Sequence, residues 1–149
     1  MVEFKLTKEQ LLAQQMFRDF AETEIKPIAR DMDETEEFSM ELLEKMKKFG
    51  LMGIPYSKEY GGEGADVLTY TLCMEEMSKA DASTGITISV HTSLCCSCIN
   101  DFASEEQKQK FLRPLVDGSK VGCFGLTEPG AGTDASGVKT SAVLDGDHY

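Results

Sequence analysis

Positive charge is scarce in this 149-residue sequence, in which 26 Asp and Glu side chains stand against 15 Lys and Arg side chains. The formal net charge is −11, and no cluster of basic residues interrupts the acidic background. Binding to nucleic acid or to an anionic membrane surface depends on concentrated basic charge, so we expect neither partner. The opening stretch MVEFKLTKEQ has neither the apolar run of a secretory signal nor the Arg and Ser bias of a transit peptide, so we expect a cytoplasmic protein.

The sequence also has too few paired cysteines for a typical zinc site, because it contains one C-x-x-C pair and no second one. The five cysteines are odd in number and no export signal precedes them, which predicts reduced thiols. Cys95 and Cys98 form one C-x-x-C pair, and His91 lies about one helical turn before Cys95. Because four-ligand zinc sites usually draw on two separated pairs, we predict that Cys95 and Cys98 are metal-free packing residues. We expect His91 to satisfy a hydrogen bond in the core, and a thiol or metal protein remains an alternative.

Helical periodicity dominates the first 118 residues, and 41% hydrophobic residues are enough to build a core. From Thr7 to about Glu34 apolar residues recur every three or four positions, which predicts a first helix. Pro27 lacks the N–H that would bond the carbonyl of Thr23, so a kink is expected near Thr23.

Capping residues delimit the other helices. Ser39 is a candidate N-cap for a short second helix that Gly50 ends, and a third helix follows the loop GIPYSKEYGGEG from about Asp66. Another helix begins with a capping box of Ser104 and Gln107 and ends at Gly118. Adjacent acids do not share a helix face, so we expect both pairs, Glu75 with Glu76 and Glu105 with Glu106, to be solvated.

Charged residues are absent between Asp81 and Asp101, a length that would also suit a membrane span of about 20 residues. The stretch STGITISVHTSLCCSCIN is rich in Ser and Thr, however, and so many polar groups are costly in lipid. We therefore predict a central helix that other helices bury on all sides.

After Gly118 the apolar period changes from 3.6 to about two in KVGCFGLTE and again in TSAVL, which predicts strands. A turn is expected at DGD, and the sequence stops where a returning strand should begin, so we expect a fragment of a longer protein. The predicted fold is mainly α, with about five helices in residues 1–118 and the first strands of a truncated β unit in residues 119–149.

Glycine and hydroxyl side chains are concentrated in FGLTEPGAGTDASG, residues 124–137. Its GAGTDA core matches the dinucleotide spacing G-x-G-x-x-(G/A), but the expected strand after it replaces the helix that this motif needs, and no Walker lysine follows. Gly130, Gly132 and Gly137 permit backbone conformations closed to other residues and let N–H groups converge on an electron-rich ligand. Glu128 is expected to brace the loop by accepting backbone amides. Composition alone favours a ligand-binding loop and a plain tight turn equally.

The same stretch resembles the first signature of the acyl-CoA dehydrogenase family, in which a small residue, an aliphatic residue and Ser or Thr precede Glu and a Gly-Ser/Thr-Asp core. Other segments agree in order, and the resemblance covers essentially the whole chain: LTKEQ, KPIARDMD, GLMGIPYSKEYGGEGAD and SEEQKQKFLRPLVDG. Within the family, the chain looks most like bacterial short-chain or butyryl-CoA dehydrogenases.

This resemblance implies a flavoenzyme with an N-terminal helical domain, a middle β domain and a C-terminal helical domain, of which this chain holds the first and the start of the second. A carboxylate in the family removes the α-proton of an acyl-CoA thioester while a β-hydride passes to N5 of FAD. Electrons then leave through an electron-transferring flavoprotein, and the full-length enzymes are expected to be homotetramers. The family's catalytic glutamate lies beyond Tyr149, so no catalytic residue is expected here.

The resemblance also implies a set of cofactor contacts in this loop. The Leu126 amide and the Thr127 hydroxyl are expected near the pyrimidine edge of the flavin, and Thr133 near the CoA part of the substrate. The residues expected to line FAD are Phe124, Gly125, Leu126, Thr127, Glu128, Pro129, Gly130, Ala131, Gly132 and Thr133. A non-catalytic helical binding module that ends in a β-hairpin is the alternative.

Overall fold

Five helices precede the loop in the part of the chain that the computed structural model describes, residues 5–149. The helices are α1 (Lys8–Phe20, Ala21–Ile25 and Lys26–Thr35), α2 (Met40–Lys48), α3 (Val67–Ala80), α4 (Ala82–Phe102) and α5 (Glu105–Gln107, Lys108–Leu112 and Arg113–Val116). Short 3₁₀ turns lie at Lys58–Tyr60 and Ala135–Gly137. The predicted mainly helical fold with about five helices is confirmed.

The predicted helix ends are confirmed by their hydrogen bonds and backbone angles. Ser39 accepts a hydrogen bond from the Leu42 N–H, and Ser104 and Gln107 form the reciprocal capping box at the start of α5. Gly50 and Gly118 have φ values of 79° and 78°, the left-handed conformation that glycine adopts easily after a helix.

A π-helical turn at Ala21–Ile25 lies where the sequence predicted a kink in α1. Pro27 has no N–H for the carbonyl of Thr23, and just before it the Lys26 N–H bonds the Ala21 carbonyl five residues back. The wider turn also brings Ile25 into the core, where it is fully buried.

The main core lies where α1, α2, α3, the first half of α4 and the loop after α2 meet. Its fully buried side chains include Met46, Met52, Met77 and Ile88. Met and Ile side chains fill this space without polar atoms that would need partners. The burial of these side chains is the main stabilisation of the helical unit.

Helix α4 is buried on one face, not on all sides as predicted. Its buried face carries Thr84, Ile88, His91 and Cys96, whereas Ile86 on another face is 63% exposed. The reason is that the described chain supplies neighbours, chiefly α3 and α5, on only one side of α4. By length and composition alone, Ala82–Phe102 would suffice to cross a membrane, with a mean hydropathy of 1.2.

The predicted strands are not formed among the described residues. After α5, KVGCFGLTE and TSAVL are irregular, and the β pairing consists of two isolated bridges, Glu128 with Ala131 and Asp145 with His148. A strand needs a partner strand to satisfy its backbone, and residues 119–149 provide no adjacent partner for these segments. The DGD turn is confirmed, because Gly146 lies inside the second bridge with φ 66°.

Glu76 corrects the prediction that adjacent acids are solvated. Its carboxylate is 3% exposed and accepts hydrogen bonds from Arg18 at 3.0 and 3.2 Å, from Gln14 at 3.1 Å and from Lys79 at 3.2 Å. The Arg18 hydrogen bonds, followed by those of Lys79, hold the pKa of this carboxyl below its usual range. Glu76 therefore joins α1 to α3, a role that sequence adjacency could not reveal.

Candidate functional site

The segment that leads from α5 into the loop is attached to α4 through His91. The Gly122 N–H donates a hydrogen bond to His91 Nδ1 at 2.9 Å, and the imidazole is fully buried. Burial lowers the pKa of His91, although the backbone carbonyls of Met52 and Leu115 act in the opposite direction. The ring is therefore neutral with its hydrogen on Nε2, and the predicted core hydrogen bond of His91 is confirmed.

The close approach of this segment to α4 requires glycine at position 122. A Cβ atom placed on Gly122 would lie 2.4 Å from Cys95 Sγ. Cys95 is half-buried in this contact, but Cys98 is exposed, so the prediction that both are packing residues is wrong for Cys98. The cysteines of residues 5–149 are free thiols, and within this range no group of three or more His, Cys, Asp or Glu side chains could hold a metal ion.

The loop itself closes on a tight turn around Pro129 and Gly130. Glu128 and Ala131 exchange both backbone hydrogen bonds, at 3.0 and 3.1 Å, and Ala131 is only 5% exposed. A 3₁₀ turn at Ala135–Gly137 follows, with Asp134 accepting from the Ser136 N–H. Within the described residues, this three-residue turn stands where the dinucleotide motif needs a long helix.

The Glu128 side chain ties the first half of the loop to residues 139 and 140, just after the loop. One carboxylate oxygen accepts the Lys139 N–H at 2.8 Å, and the other accepts the Thr140 N–H at 2.9 Å together with the Thr140 hydroxyl. The Thr140 hydroxyl, then the two amides, hold the pKa of Glu128 below its usual range. The predicted loop-bracing role of Glu128 is confirmed.

Several hydrogen-bond donors of the loop have no intramolecular acceptor within the described chain. These are the backbone N–H groups of Gly125, Leu126, Thr127, Gly132 and Thr133 and the hydroxyls of the two threonines. Leu126 is 48% exposed and Thr127 and Thr133 are exposed as well. A row of accessible N–H and O–H donors suits the electron-rich edge of a ring or a phosphate.

One part of the predicted role of glycine in this loop, the backbone angles closed to other residues, is wrong. None of Gly130, Gly132 and Gly137 has a φ in the left-handed region, so glycine-only backbone angles do not explain them. A Cβ atom on Gly125, Gly130 or Gly132 would meet nothing within 4 Å inside the chain. The chain's own packing therefore does not require glycine there, whereas a ligand that approaches the backbone closely would require it.

An apolar groove lies elsewhere, between the end of α4 and α5, with a volume of about 590 Å³. Ile99, Phe102, Phe111 and Pro114 line it, and none of the predicted site residues does. The donors of residues 124–133 and this groove are thus separate features of the surface.

Most of the chain matches the sequence profile of one protein family. The sequence profile described as "Acyl-CoA dehydrogenase, N-terminal domain" matches residues 7–119. The chain belongs to the acyl-CoA dehydrogenase family. This assignment confirms the predicted resemblance to the family, and the match covers the helical segments before FGLTEPGAGTDASG.

The chain spans well under half the length of the relatives that it matches. It is 58% identical over 148 residues to the short-chain specific acyl-CoA dehydrogenase of Clostridium acetobutylicum, covering 99% of this chain and 39% of that protein. A chain in a structure described as the electron transferring flavoprotein of Acidaminococcus fermentans matches with a TM-score of 0.93 and 48% identity, covering 98% of this chain and 38% of that one. An acyl-CoA dehydrogenase complexed with FAD from Bacillus anthracis matches with a TM-score of 0.85 and 34% identity, covering 93% of this chain and 24% of that one.

Proposed function

We propose that the chain is the N-terminal part of an FAD-dependent acyl-CoA dehydrogenase that oxidises a short-chain acyl-CoA to the trans-2-enoyl-CoA. The observation that carries this proposal is the exposed row of donors in residues 124–133, placed after a helical unit of this family and held in shape by Glu128. The identity with the short-chain enzyme of C. acetobutylicum supports the short-chain preference.

In this proposal residues 124–133 bind and orient FAD. The Leu126 N–H and the Thr127 hydroxyl donate hydrogen bonds to the pyrimidine edge of the ring, where negative charge develops on reduction. Gly130 and Gly132 let the backbone approach the cofactor, and Thr133 also faces the CoA part of the substrate. These roles fit the structure because each donor is accessible and lacks an intramolecular acceptor within residues 5–149.

FAD, when bound, supplies the two-electron acceptor for the β-hydride, while the chain contributes binding and orientation. The base that removes the α-proton lies beyond Tyr149, so residues 1–149 contain no catalytic residue. We further propose that residues 1–118 are the N-terminal helical domain and residues 119–149 the start of the middle β domain. Isolated residues 1–149 should therefore have no dehydrogenase activity.

Partners and location complete the proposal. The relation to a chain from an electron-transferring flavoprotein structure supports such a flavoprotein as the electron acceptor. The full-length enzyme is proposed to be a cytoplasmic homotetramer with an acyl-CoA substrate, and the net charge of −11 argues against nucleic acid or anionic membrane as partners.

A chimaera tests the function directly. Residues 1–149 replace the matching N-terminal part of the C. acetobutylicum enzyme, whose remaining sequence supplies the rest of the fold. We expect a yellow protein that contains FAD and reduces a dye acceptor with butyryl-CoA, whereas residues 1–149 alone show no turnover. A chimaera that folds, judged by circular dichroism beside the parent enzyme, yet binds no FAD would overturn the proposal.

A further inference from the structure

We infer that Glu128 is a positioning residue that sets the direction in which the 124–133 loop presents its donors to the flavin. This inference rests on the function proposed above. Within the proposed FAD-binding segment, the Glu128 carboxylate faces Lys139 and Thr140, so its side chain acts through the shape of the loop.

The first argument is that Glu128 is held at both its backbone and its side chain. Its backbone pairs twice with Ala131, while its carboxylate accepts two amides and one hydroxyl from residues 11 and 12 positions further along. With donors on both oxygens, the carboxylate group cannot rotate without losing a bond. The turn at Pro129 and Gly130 is therefore tied to the segment at 139–140.

The second argument is that the neighbouring ligand-facing residues have no other attachment in the described chain. Leu126 and Thr127 make no hydrogen bonds within residues 5–149, and both are exposed. Their position is set by the attached residues on either side, Gly122 before them and Glu128 directly after Thr127. Loss of the Glu128 bonds should therefore move the Thr127 hydroxyl and the Leu126 N–H while leaving the helical core intact.

The hydrogen bonds from residues 139 and 140 to Glu128, called the bridge below, also explain why residue 128 is a carboxylate. Three donors converge on two oxygens, and a glutamine of the same size has only one acceptor oxygen. Its NH₂ group would face an N–H donor of residue 139 or 140. Glu128→Gln thus removes at least one bond with almost no change in volume.

The bridge is tested first in residues 1–149 by amide hydrogen exchange. We expect the Lys139 and Thr140 amides to exchange about tenfold faster in Glu128→Gln, the change that loss of one hydrogen bond to a charged group predicts. Thr140→Val removes only the hydroxyl bond and should have a smaller effect. Glu106→Gln, at an exposed position of α5, is the matched control and should change neither amide.

The positioning role is tested in the full-length holoenzyme, either the native polypeptide or the chimaera. In Glu128→Gln we expect the Kd for FAD to rise about tenfold and the visible flavin spectrum to shift, with Thr140→Val intermediate. The thermal melt of the helices should match that of Glu106→Gln. If the parent binds FAD and both bridge variants keep its Kd within about twofold and its spectrum unchanged, the positioning role is wrong while the proposed function stands. A folded parent without flavin would overturn both.

Discussion

The Gly122 N–H donates a 2.9 Å hydrogen bond to Nδ1 of the fully buried His91, so helix α4 holds the segment that enters the loop. The other ring nitrogen of His91, Nε2, lies 3.6 Å from Cys96 Sγ. A titratable ring thus joins the helical unit to residues 119–149, and the attachment depends on that ring staying neutral.

Replacing His91 by Ala should destabilise the chain by about 2–4 kcal/mol, because a cavity and an unpaired Gly122 N–H both result. His91→Asn keeps an acceptor near the Nδ1 position and should cost less. Urea unfolding at pH 7.5 measures both variants. Equal stability of His91→Ala and the parent would contradict the structural role of this hydrogen bond.

The pH dependence of His91 has a defined sign. Burial lowers its pKa in the folded chain below the value of 6.5 for the free side chain, so the unfolded state binds the proton more readily. The contribution of His91 to stability is complete above pH 6.5 and is lost as pH falls from 6.5 through the lower folded pKa. Stability measured between pH 7.5 and pH 5 should fall more steeply in the parent than in His91→Asn, and identical slopes would contradict this assignment.

Arg18→Met should destabilise the packing of α1 against α3 by about 1–3 kcal/mol, because it leaves the buried Glu76 carboxylate with fewer donors. The control is Arg30→Met, which breaks an exposed pair with Glu34 and should cost less than about 0.5 kcal/mol. Chemical unfolding of both variants at pH 7 gives the comparison. Equal costs would show that burial of Glu76 adds nothing to this pair.

In the full-length enzyme proposed above, substitutions in the loop should cause two different defects. Thr127→Val removes one hydroxyl and should cost on the order of 1.5–3 kcal/mol, seen as a lower flavin potential and a slower reductive half-reaction. Gly132→Val should instead weaken FAD or CoA binding while the fold is kept, since its Cβ meets nothing within the chain. Flavin titration and stopped-flow reduction by butyryl-CoA distinguish these effects.

Gly62→Ala is the matched control for the glycine change, because its Cβ would lie 2.3 Å from the Tyr56 carbonyl oxygen. It should lower the melting temperature, whereas Gly132→Val should not. If Thr127→Val and Gly132→Val both bind FAD and butyryl-CoA and are reduced at the parent rate, the loop is only a turn.

Thiol reactivity should follow the burial of the cysteines. Cys98 and Cys123 are exposed and should react first with a disulfide reagent, while Cys73 and Cys96 should react only on unfolding. Burial raises the pKa of each of these last two thiols to about 12, which leaves almost no thiolate at neutral pH. Mass spectrometry after timed labelling gives the order, and early modification of Cys73 would contradict the described core.

Metal content is a separate test of the cysteines. We expect residues 1–149 to contain no stoichiometric zinc by elemental analysis. Zinc at one equivalent that disappears when Cys95 and Cys98 are both changed to Ser would show a metal site instead.

The sequence alone determined the helical unit and most of its ends. Ser39, Gly50, Ser104 and Gly118 act on backbone groups within a few residues, so their effect can be predicted without knowing the rest of the fold. The family motif in residues 124–137 likewise depends on residues adjacent in the chain. For the same local reason, Glu128 could be predicted to brace its own loop.

Tertiary structure decided the contacts between residues far apart in the chain. Periodicity placed Ala82–Phe102 in a helix, but which face of it is buried depends on where α3 and α5 lie. Glu76 is buried because Arg18, 58 positions away, reaches it from α1. The strands predicted after Gly118 illustrate the same limit, because alternation selects a strand only where a partner strand satisfies its backbone. Helix caps and turns depend on residues close together in the sequence, so the sequence alone predicts them. The burial of a side chain and the pairing of a strand depend on which distant segments pack beside it.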